Sequence, residues 1–183
     1  MQKLIILRGA PSSGKSTIAK RLRSFKRKIA WLKVDNFKNF FAKDVSEEND
    51  AVDDVNQLAM VALQHLLSQG FSVVIEGIFQ NPKYVTSATE IAKKRNVRFK
   101  VYELECSLKT LQLRDRNRPG VKEGCRKPLG DKVIARLFNV IKENSWSGAE
   151  KLNTEKLSLD ECVEILKKSL EAKQDLTSST TGR

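Results

Sequence analysis

The chain of 183 residues contains only three cysteines and one histidine, and these low numbers exclude several kinds of site. Cys106, Cys125 and Cys162 are odd in number and widely spaced, so they fit neither a disulfide framework nor a paired zinc-ligand motif. With His65 as the only imidazole, a cysteine–histidine nucleophilic pair is a poor candidate. Free thiols of this kind are typical of a reducing compartment, and we expect a cytoplasmic protein.

Long apolar segments are missing, and acidic residues are outnumbered. No stretch approaches the length of a membrane span, and the N-terminus lacks the apolar region of a signal peptide, so we expect no membrane association. Lysine and arginine total 34 against 22 aspartates and glutamates, for a net charge of +12. The basic residues concentrate in 20–33 and 92–136, which favours anionic partners such as ATP, phosphorylated compounds or nucleic acid. A cationic surface without a specific partner is the alternative.

Residues 9–17 carry the most specific pattern, which fits the spacing G-x-x-x-x-G-K-[ST] between an apolar run at 3–8 and a basic amphipathic helix pattern. Glycines let successive N–H groups converge on phosphate oxygens, and the start of a helix adds unpaired N–H groups. We therefore predict nucleoside triphosphate binding, with Lys15 on the β- and γ-phosphates and the Ser16 hydroxyl on Mg²⁺. The binding residues would be Gly9, Ala10, Pro11, Ser12, Ser13, Gly14, Lys15, Ser16 and Thr17.

In the rest of the chain, apolar patterns typical of strands alternate with apolar patterns typical of helices. Strand patterns occur at 29–34, 71–75, 98–104 and 150–153, and helical patterns at 49–69, 82–95, 108–113, 131–143 and 159–171. This alternation predicts an α/β fold with a mainly parallel five-stranded sheet covered on both faces. We assign 1–171 to one domain with a basic lid at about 114–130, and expect 172–183 to be disordered.

Polar residues follow the first three predicted strands, where ligands of parallel sheets bind. They are the glycine-rich loop, Asp35 and Glu76, and we expect them to converge. His65 continues the apolar pattern of its helix, so we expect it to pack rather than to react. Trp31 lies within a predicted strand, and we expect it in the core.

Three further segments support a family resemblance when they are taken together with the loop: Val34–Lys38, Val74–Gly77 with Asn81-Pro82, and Leu113–Arg118. The chain resembles the small P-loop kinases, most of all the kinase domain of polynucleotide 5′-kinases, and also chloramphenicol phosphotransferase, zeta toxins and gluconate kinases. The resemblance implies a three-layer P-loop NTPase fold. It also implies transfer of the γ-phosphate of ATP, with Mg²⁺, to a substrate hydroxyl, with a polynucleotide 5′-hydroxyl as one candidate acceptor.

The resemblance also implies roles for individual residues. Asp35 matches the aspartate that takes the proton of the acceptor hydroxyl, and Lys38 stands in the acceptor site where polynucleotide kinases often have arginine. Arg114 and Arg118 match lid arginines that contact the nucleotide and the transferring phosphoryl group, with Arg116 as a third candidate. Glu76 matches an acidic residue that holds Mg²⁺ or its water, a position where the related enzymes commonly have aspartate.

The same residues also allow simpler roles. Asp35 fits a turn or helix cap, Glu76 a hydrogen-bonded strand end, and the arginines a solvated helix terminus. The alternative functions are an ATPase or nucleotide-dependent switch, and a nucleic-acid-binding module that uses ATP as a structural ligand. The phenylalanines and lysine of 36–41 fit an aromatic acceptor or core packing equally well.

Overall fold

The computed structural model of the protein describes residues 2–25, 28–41, 49–120 and 127–172. These residues form an alternating series of strands and helices. The strands are β1 (Lys3–Gly9), β2 (Ile29–Lys33), β3 (Ser72–Gly77), β4 (Arg98–Glu105) and β5 (Glu150–Asn153). The α-helices are α1 (Lys15–Arg23), α2 (Asn49–Ser68), α3 (Lys83–Lys94), α4 (Leu108–Arg116), α5 (Asp131–Glu143) and α6 (Leu159–Glu171), and a 3₁₀ helix spans Val34–Phe40.

The strands form one all-parallel sheet in the order β2-β3-β1-β4-β5. All residues of the central strand β1 are buried, as expected for an apolar parallel strand that is covered on both faces. The predicted fold class, an α/β P-loop fold with a five-stranded parallel sheet, is thereby confirmed. β2 lies at one edge, so only one of its sides pairs with another strand of the described chain.

Side chains of β1 alternate between two cores, one on each face of the sheet. Leu4 and Ile6 pack into a cluster with α2 and α3, and Ile5 and Leu7 pack into a cluster with α1 and α6. The molecule therefore has three layers: the sheet in the middle, α2 and α3 on one face, and α1 and α6 on the other. A smaller apolar cluster joins Ala10 of the glycine-rich loop to α4 and α5.

A buried ion pair ties the central strand to its surroundings. Arg8 of β1 is fully buried and pairs with Glu103 of β4. Its guanidinium also donates to the Phe79 carbonyl at 3.2 Å and to the Asn144 carbonyl at 2.5 Å. These bonds compensate the burial of the arginine, which would otherwise be costly.

Helix ends follow the capping residues in the sequence. Gly70 follows α2 with φ +80°, and its N–H and that of Phe71 donate to Leu67 and Leu66, which is a Schellman arrangement. At the start of α6, Ser158 Oγ accepts from the Glu161 N–H at 3.2 Å, and the Ser158 N–H donates to Glu161 Oε2 at 2.8 Å. This capping box fixes the helix whose first residues line the cleft described below.

Three sequence expectations need correction. β2 ends at Lys33 instead of continuing to Val34, and Asp35 lies in the first turn of the 3₁₀ helix. His65 is exposed, because it lies about 200° around α2 from the buried Leu63. Trp31 packs against the core cluster of α1 and α6, but it is only half-buried and also lines the cleft.

Two expectations, the lid and the tail, involve residues outside the described ranges, the lid in part and the tail almost entirely. The predicted lid at 114–130 includes 121–126, and the predicted disordered tail includes 173–183, so both remain predictions for those residues. The described part of the lid consists of the end of α4 and the segments that flank the gap. Among the helices of the described chain, none has the length and apolar character needed to cross a membrane.

Candidate active site

A cleft of about 790 Å³ opens at the carboxyl ends of β1, β2 and β3. The glycine-rich loop forms its floor, and Asp35 and Glu76 line the same space, so the three strand-end features lie together. The opposite walls come from the end of α4 and from the segment between β5 and α6. The residues of those walls are Arg114, Asn117, Arg118, Pro119, Thr154, Leu157, Leu159 and Cys162.

The backbone of the loop is curved by residues with positive φ. Gly9 and Gly14 have φ of +147° and +101°, and Ser12 has φ of +66°. A Cβ at Gly9 would lie 2.7 Å from the Leu104 carbonyl oxygen, so the close approach of β4 requires glycine there. The left-handed conformation of Ser12 is strained for a residue with a side chain, and such strain is concentrated at functional sites.

Lys15 begins α1 and is buried against the loop. Its Nζ donates to the carbonyl oxygens of Gly9 and Ala10, both at 2.8 Å, and to Ser13 Oγ at 3.4 Å. The first turn of α1 contains no acidic residue, so the partial positive charge of the helix end is not offset by a side chain. The ammonium group and the helix N-terminus therefore present positive potential along one loop, which fits the phosphates of a nucleotide.

Ser16 and Glu76 place two oxygen atoms side by side in the cleft. Ser16 Oγ donates to Glu76 Oε1 at 2.7 Å, and Glu76 is only 3% exposed. The described chain contains no cluster of three or more histidine, cysteine, aspartate or glutamate residues suited to a metal ion. A hydroxyl and a single carboxylate fit Mg²⁺, which commonly takes one or two protein oxygens and completes its shell with phosphate and water.

Asp35 lies where the cleft reaches the edge of the sheet. Its side chain is 24% exposed, and Lys38 Nζ lies 3.8 Å from its Oδ1. Lys20, Trp31 and Lys33 also line the cleft. The cleft that Asp35 faces therefore contains lysine ammonium groups and one indole ring.

The three arginines of α4 and its C-terminal end point in different directions. Arg114 donates from Nη1 to Thr154 Oγ1 at 2.9 Å and from Nη2 to the Thr154 carbonyl at 2.7 Å. Arg118 donates from Nη2 to Ser12 Oγ at 2.8 Å, at the glycine-rich loop. Arg116 does not line the cleft and donates from Nε to Asp131 Oδ1 at 3.1 Å on the surface, which holds the pKa of Asp131 below its ordinary value.

Sequence reasoning gave no role to Asp115, which lies between these arginines. Asp115 is 1% exposed, and its carboxylate contacts the glycine-rich loop, Arg118 and the residues before α5. The available signal was a single acidic residue within the basic stretch 109–118. Lys20, Lys33 and Thr154 were also missed, because their proximity to the cleft depends on the order of the strands.

Comparison with known proteins agrees with this architecture. A family model described as an AAA domain matches residues 4–143, whereas no curated protein matches the sequence. The structure is similar to the APS kinase CysC of Mycobacterium tuberculosis in complex with AMPPNP and APS, with 15% identity and a TM-score of 0.65 over 93% of this chain and 98% of that chain.

Two further solved structures have the same fold. A gluconokinase from Sinorhizobium meliloti 1021 is 16% identical, with a TM-score of 0.63 over 88% of this chain and 87% of that chain. A chain of the Pnkp1/Rnl/Hen1 RNA repair complex is 17% identical, with a TM-score of 0.63 over 86% of this chain and 47% of that chain. Because the family model spans most of the described fold, from β1 to the end of α5, the chain belongs to the AAA domain family.

Proposed function

We propose that the protein is an ATP-dependent kinase that transfers the γ-phosphate to a hydroxyl group of an acceptor. One observation carries the proposal: a carboxylate, Asp35, faces the same cleft as the glycine-rich loop and the Ser16–Glu76 pair. A nucleotide-binding protein without an acceptor has no need for a base at that position. The solved kinases that share the fold support the same class of reaction.

The residues of the cleft suit an in-line transfer. The acceptor oxygen would attack the γ-phosphorus, the bond from that phosphorus to the β–γ bridging oxygen would break, and ADP would leave. The proton of the hydroxyl would pass to the Asp35 carboxylate, which also aligns the attacking oxygen. Lys15 and Arg118 would stabilise the charge on the transferring group, and Mg²⁺ held near Ser16 and Glu76 would neutralise phosphate oxygens.

The positions of the arginines support separate roles within this reaction. Arg118 contacts Ser12 of the glycine-rich loop, so we assign it to the phosphoryl group that is transferred. Arg114 is held by Thr154, and the wall beside it continues through Leu157 and Leu159. We assign that apolar wall and the Arg114 guanidinium to the nucleobase side of ATP, where a planar cation packs well against a ring.

The acceptor end of the cleft suits a molecule that carries negative charge and an aromatic ring. Lys38 lies beside Asp35, and Lys20, Lys33 and Trp31 line the cleft that Asp35 faces, so the cleft offers both positive charge and a ring. A nucleic acid with a free 5′-hydroxyl has this chemistry, because a phosphate and a base lie close to the reacting hydroxyl. We therefore propose a polynucleotide 5′-hydroxyl as the acceptor, bound by lysine point charges rather than by an arginine fork.

The test is transfer of label from γ-labelled ATP, with Mg²⁺, to RNA and DNA oligonucleotides that carry a 5′-hydroxyl. A parallel panel contains nucleosides, sugars and aminoalcohol antibiotics. Asp35→Asn should lower transfer roughly 100-fold or more while ATP affinity changes little, because general bases contribute about that much. Asp54→Asn, at an exposed position of α2, is the matched control and should transfer normally.

Each outcome decides between functions. Labelled oligonucleotide that disappears with Asp35→Asn supports the polynucleotide kinase. If only a small molecule is labelled, the protein is a kinase, but the proposal of a nucleic-acid acceptor is wrong. Phosphate release without transfer to any acceptor, unchanged by Asp35→Asn, disproves the kinase and favours an ATPase or nucleotide-dependent switch.

A further inference from the structure

Asp115 lies in the last turn of α4, and its carboxylate is almost completely buried against Arg118, although Asp115 itself has no role in the proposed reaction. We propose that Asp115 is a positioning residue that seats the Arg118 guanidinium on the glycine-rich loop and fastens the start of α5 to the same point. The inference rests on the proposed kinase function, because it concerns the residue that orients Arg118 for phosphoryl transfer.

One carboxylate oxygen forms a triangle with Arg118 and the loop. Asp115 Oδ1 accepts from Arg118 Nε at 2.9 Å and from Ser12 Oγ at 3.3 Å. Arg118 Nη2 in turn donates to Ser12 Oγ at 2.8 Å. Each of the three side chains therefore contacts the other two, and the plane of the guanidinium is fixed relative to the loop.

The other oxygen holds the chain where it returns to α5. Asp115 Oδ2 accepts from the N–H of Leu129 at 2.7 Å and from the N–H of Gly130 at 3.0 Å. Gly130 is the N-cap residue of α5 and has no side chain to cap the helix itself. Asp115 supplies a carboxylate at this helix N-terminus from the neighbouring helix, where negative charge is favourable.

The hydrogen bonds to Oδ1 and Oδ2 of Asp115 connect two segments that are far apart in the sequence. The loop at Ser12 and the segment at Leu129 share a single carboxylate as their hydrogen-bond partner. If α5 moved away from α4, the bonds to Oδ2 would break and the charge of Asp115 would lose part of its compensation. The orientation of Arg118 is therefore coupled to the docking of α5.

This coupling predicts which kinetic constant depends on Asp115. Without the carboxylate, Arg118 keeps its charge and its bond to Ser12 but loses the ion pair at Nε, so its direction is less well fixed. Stabilisation of the transferring group depends on that direction, whereas binding of ATP also uses Lys15 and the backbone of the loop. A change at Asp115 should therefore lower kcat more than it raises the KM for ATP.

The experiment is a double-mutant cycle in the label-transfer assay with Asp115→Asn, Arg118→Ala and the double variant. Asp115→Asn should lower kcat about 30- to 100-fold, as expected for a misplaced catalytic group, with the KM for ATP changed by less than about threefold. The double variant should be no slower than the slower single variant, because both changes remove the same oriented group. Asp54→Asn, at an exposed position of α2 outside the α4–α5 contact, should retain kcat.

Two results would overturn the proposal. One is an unchanged kcat for Asp115→Asn, and the other is a double variant whose kcat is lowered by the product of the two single effects. If Asp115→Asn does not fold, as judged by circular dichroism, the Arg118→Ala variant tests the same guanidinium-binding position with Asp115 intact. Free guanidinium at millimolar concentration should then restore part of kcat, because Asp115 and Ser12 still offer the binding position. Absence of any recovery would contradict the proposal.

Failure of the proposed function is recognised separately. Wild-type protein that labels no acceptor disproves the kinase, and the same variants are then compared by phosphate release from ATP. In that assay, the positioning role is disproved if the losses in phosphate-release rate for Asp115→Asn and Arg118→Ala multiply in the double variant. It is supported if the double variant is no slower than the slower single variant.

Discussion

Ser16 at the start of α1 and Glu76 at the end of β3 share a hydrogen bond of 2.7 Å from the serine hydroxyl to Oε1. The bond connects the loop that follows the central strand to the neighbouring strand of the sheet. The glutamate side chain is long enough to reach Ser16 directly from the end of β3. Both oxygens therefore lie together at the position proposed for Mg²⁺.

Glu76→Gln tests this assignment. Glutamine has the same size and still accepts a hydrogen bond from Ser16, but its neutral amide is a weaker ligand or outer partner for Mg²⁺. We expect the Mg²⁺ concentration for half-maximal transfer to rise roughly tenfold. The measurement is a Mg²⁺ titration at saturating ATP, with Glu90→Gln on the exposed face of α3 as the control. An unchanged titration midpoint would remove Glu76 from the metal site.

Arg114→Ala and Arg116→Ala separate two residues that are close in sequence. Arg114 holds Thr154 in the wall of the cleft, so its loss should raise the KM for ATP about tenfold and change kcat less. Arg116 is exposed and pairs with Asp131, and exposed ion pairs contribute little, so its loss should leave both constants within about twofold. Steady-state kinetics with varied ATP measures both effects. Equal losses for the two variants would argue against the assignment of Arg114.

The rate of thiol alkylation measures how well Cys106 and Cys162 are shielded from solvent. Burial raises the pKa of each thiol, because the charged thiolate is disfavoured away from water. Since the thiolate is the reactive form, alkylation should be slow at neutral pH and should accelerate only at more alkaline pH than for a small thiol. Bound ATP should slow labelling further at Cys162, which lines the cleft.

Mass spectrometry of peptides after timed iodoacetamide treatment follows both cysteines. A Cys125→Ser background removes the third thiol, which lies outside the described residues. Labelling of Cys162 at neutral pH as fast as free glutathione would show that the α6 wall of the cleft is open.

The sequence predicts most of the sheet and the loop because their signals are local. Short apolar runs such as 3–8 are typical of buried parallel strands, and the glycines and lysine of 9–17 have a fixed spacing. The capping residues Gly70 and Ser158 act on neighbouring backbone groups, so they locate the helix ends without knowledge of the fold.

The remaining features depend on contacts between distant segments. Asp115 meets Ser12 across 103 positions of the chain, and no local pattern marks that contact. Trp31 seemed a core residue because a strand pattern does not reveal which strands lie at the edge of the sheet. His65 was misplaced because its helix carries apolar residues on more than one side, including the exposed Val61.

The position of β2 at the edge of the sheet gives the two halves of the proposed reaction unequal freedom to evolve. The phosphate loop follows the fully buried central strand, where few substitutions are tolerated without loss of the core. Asp35 and Lys38 instead follow a strand that, within the described parts of the chain, is paired on one side only. Insertions or exchanges around the acceptor end can therefore be tolerated without disturbing the donor end, so that the same phosphate-binding loop can be combined with sites for different alcohols.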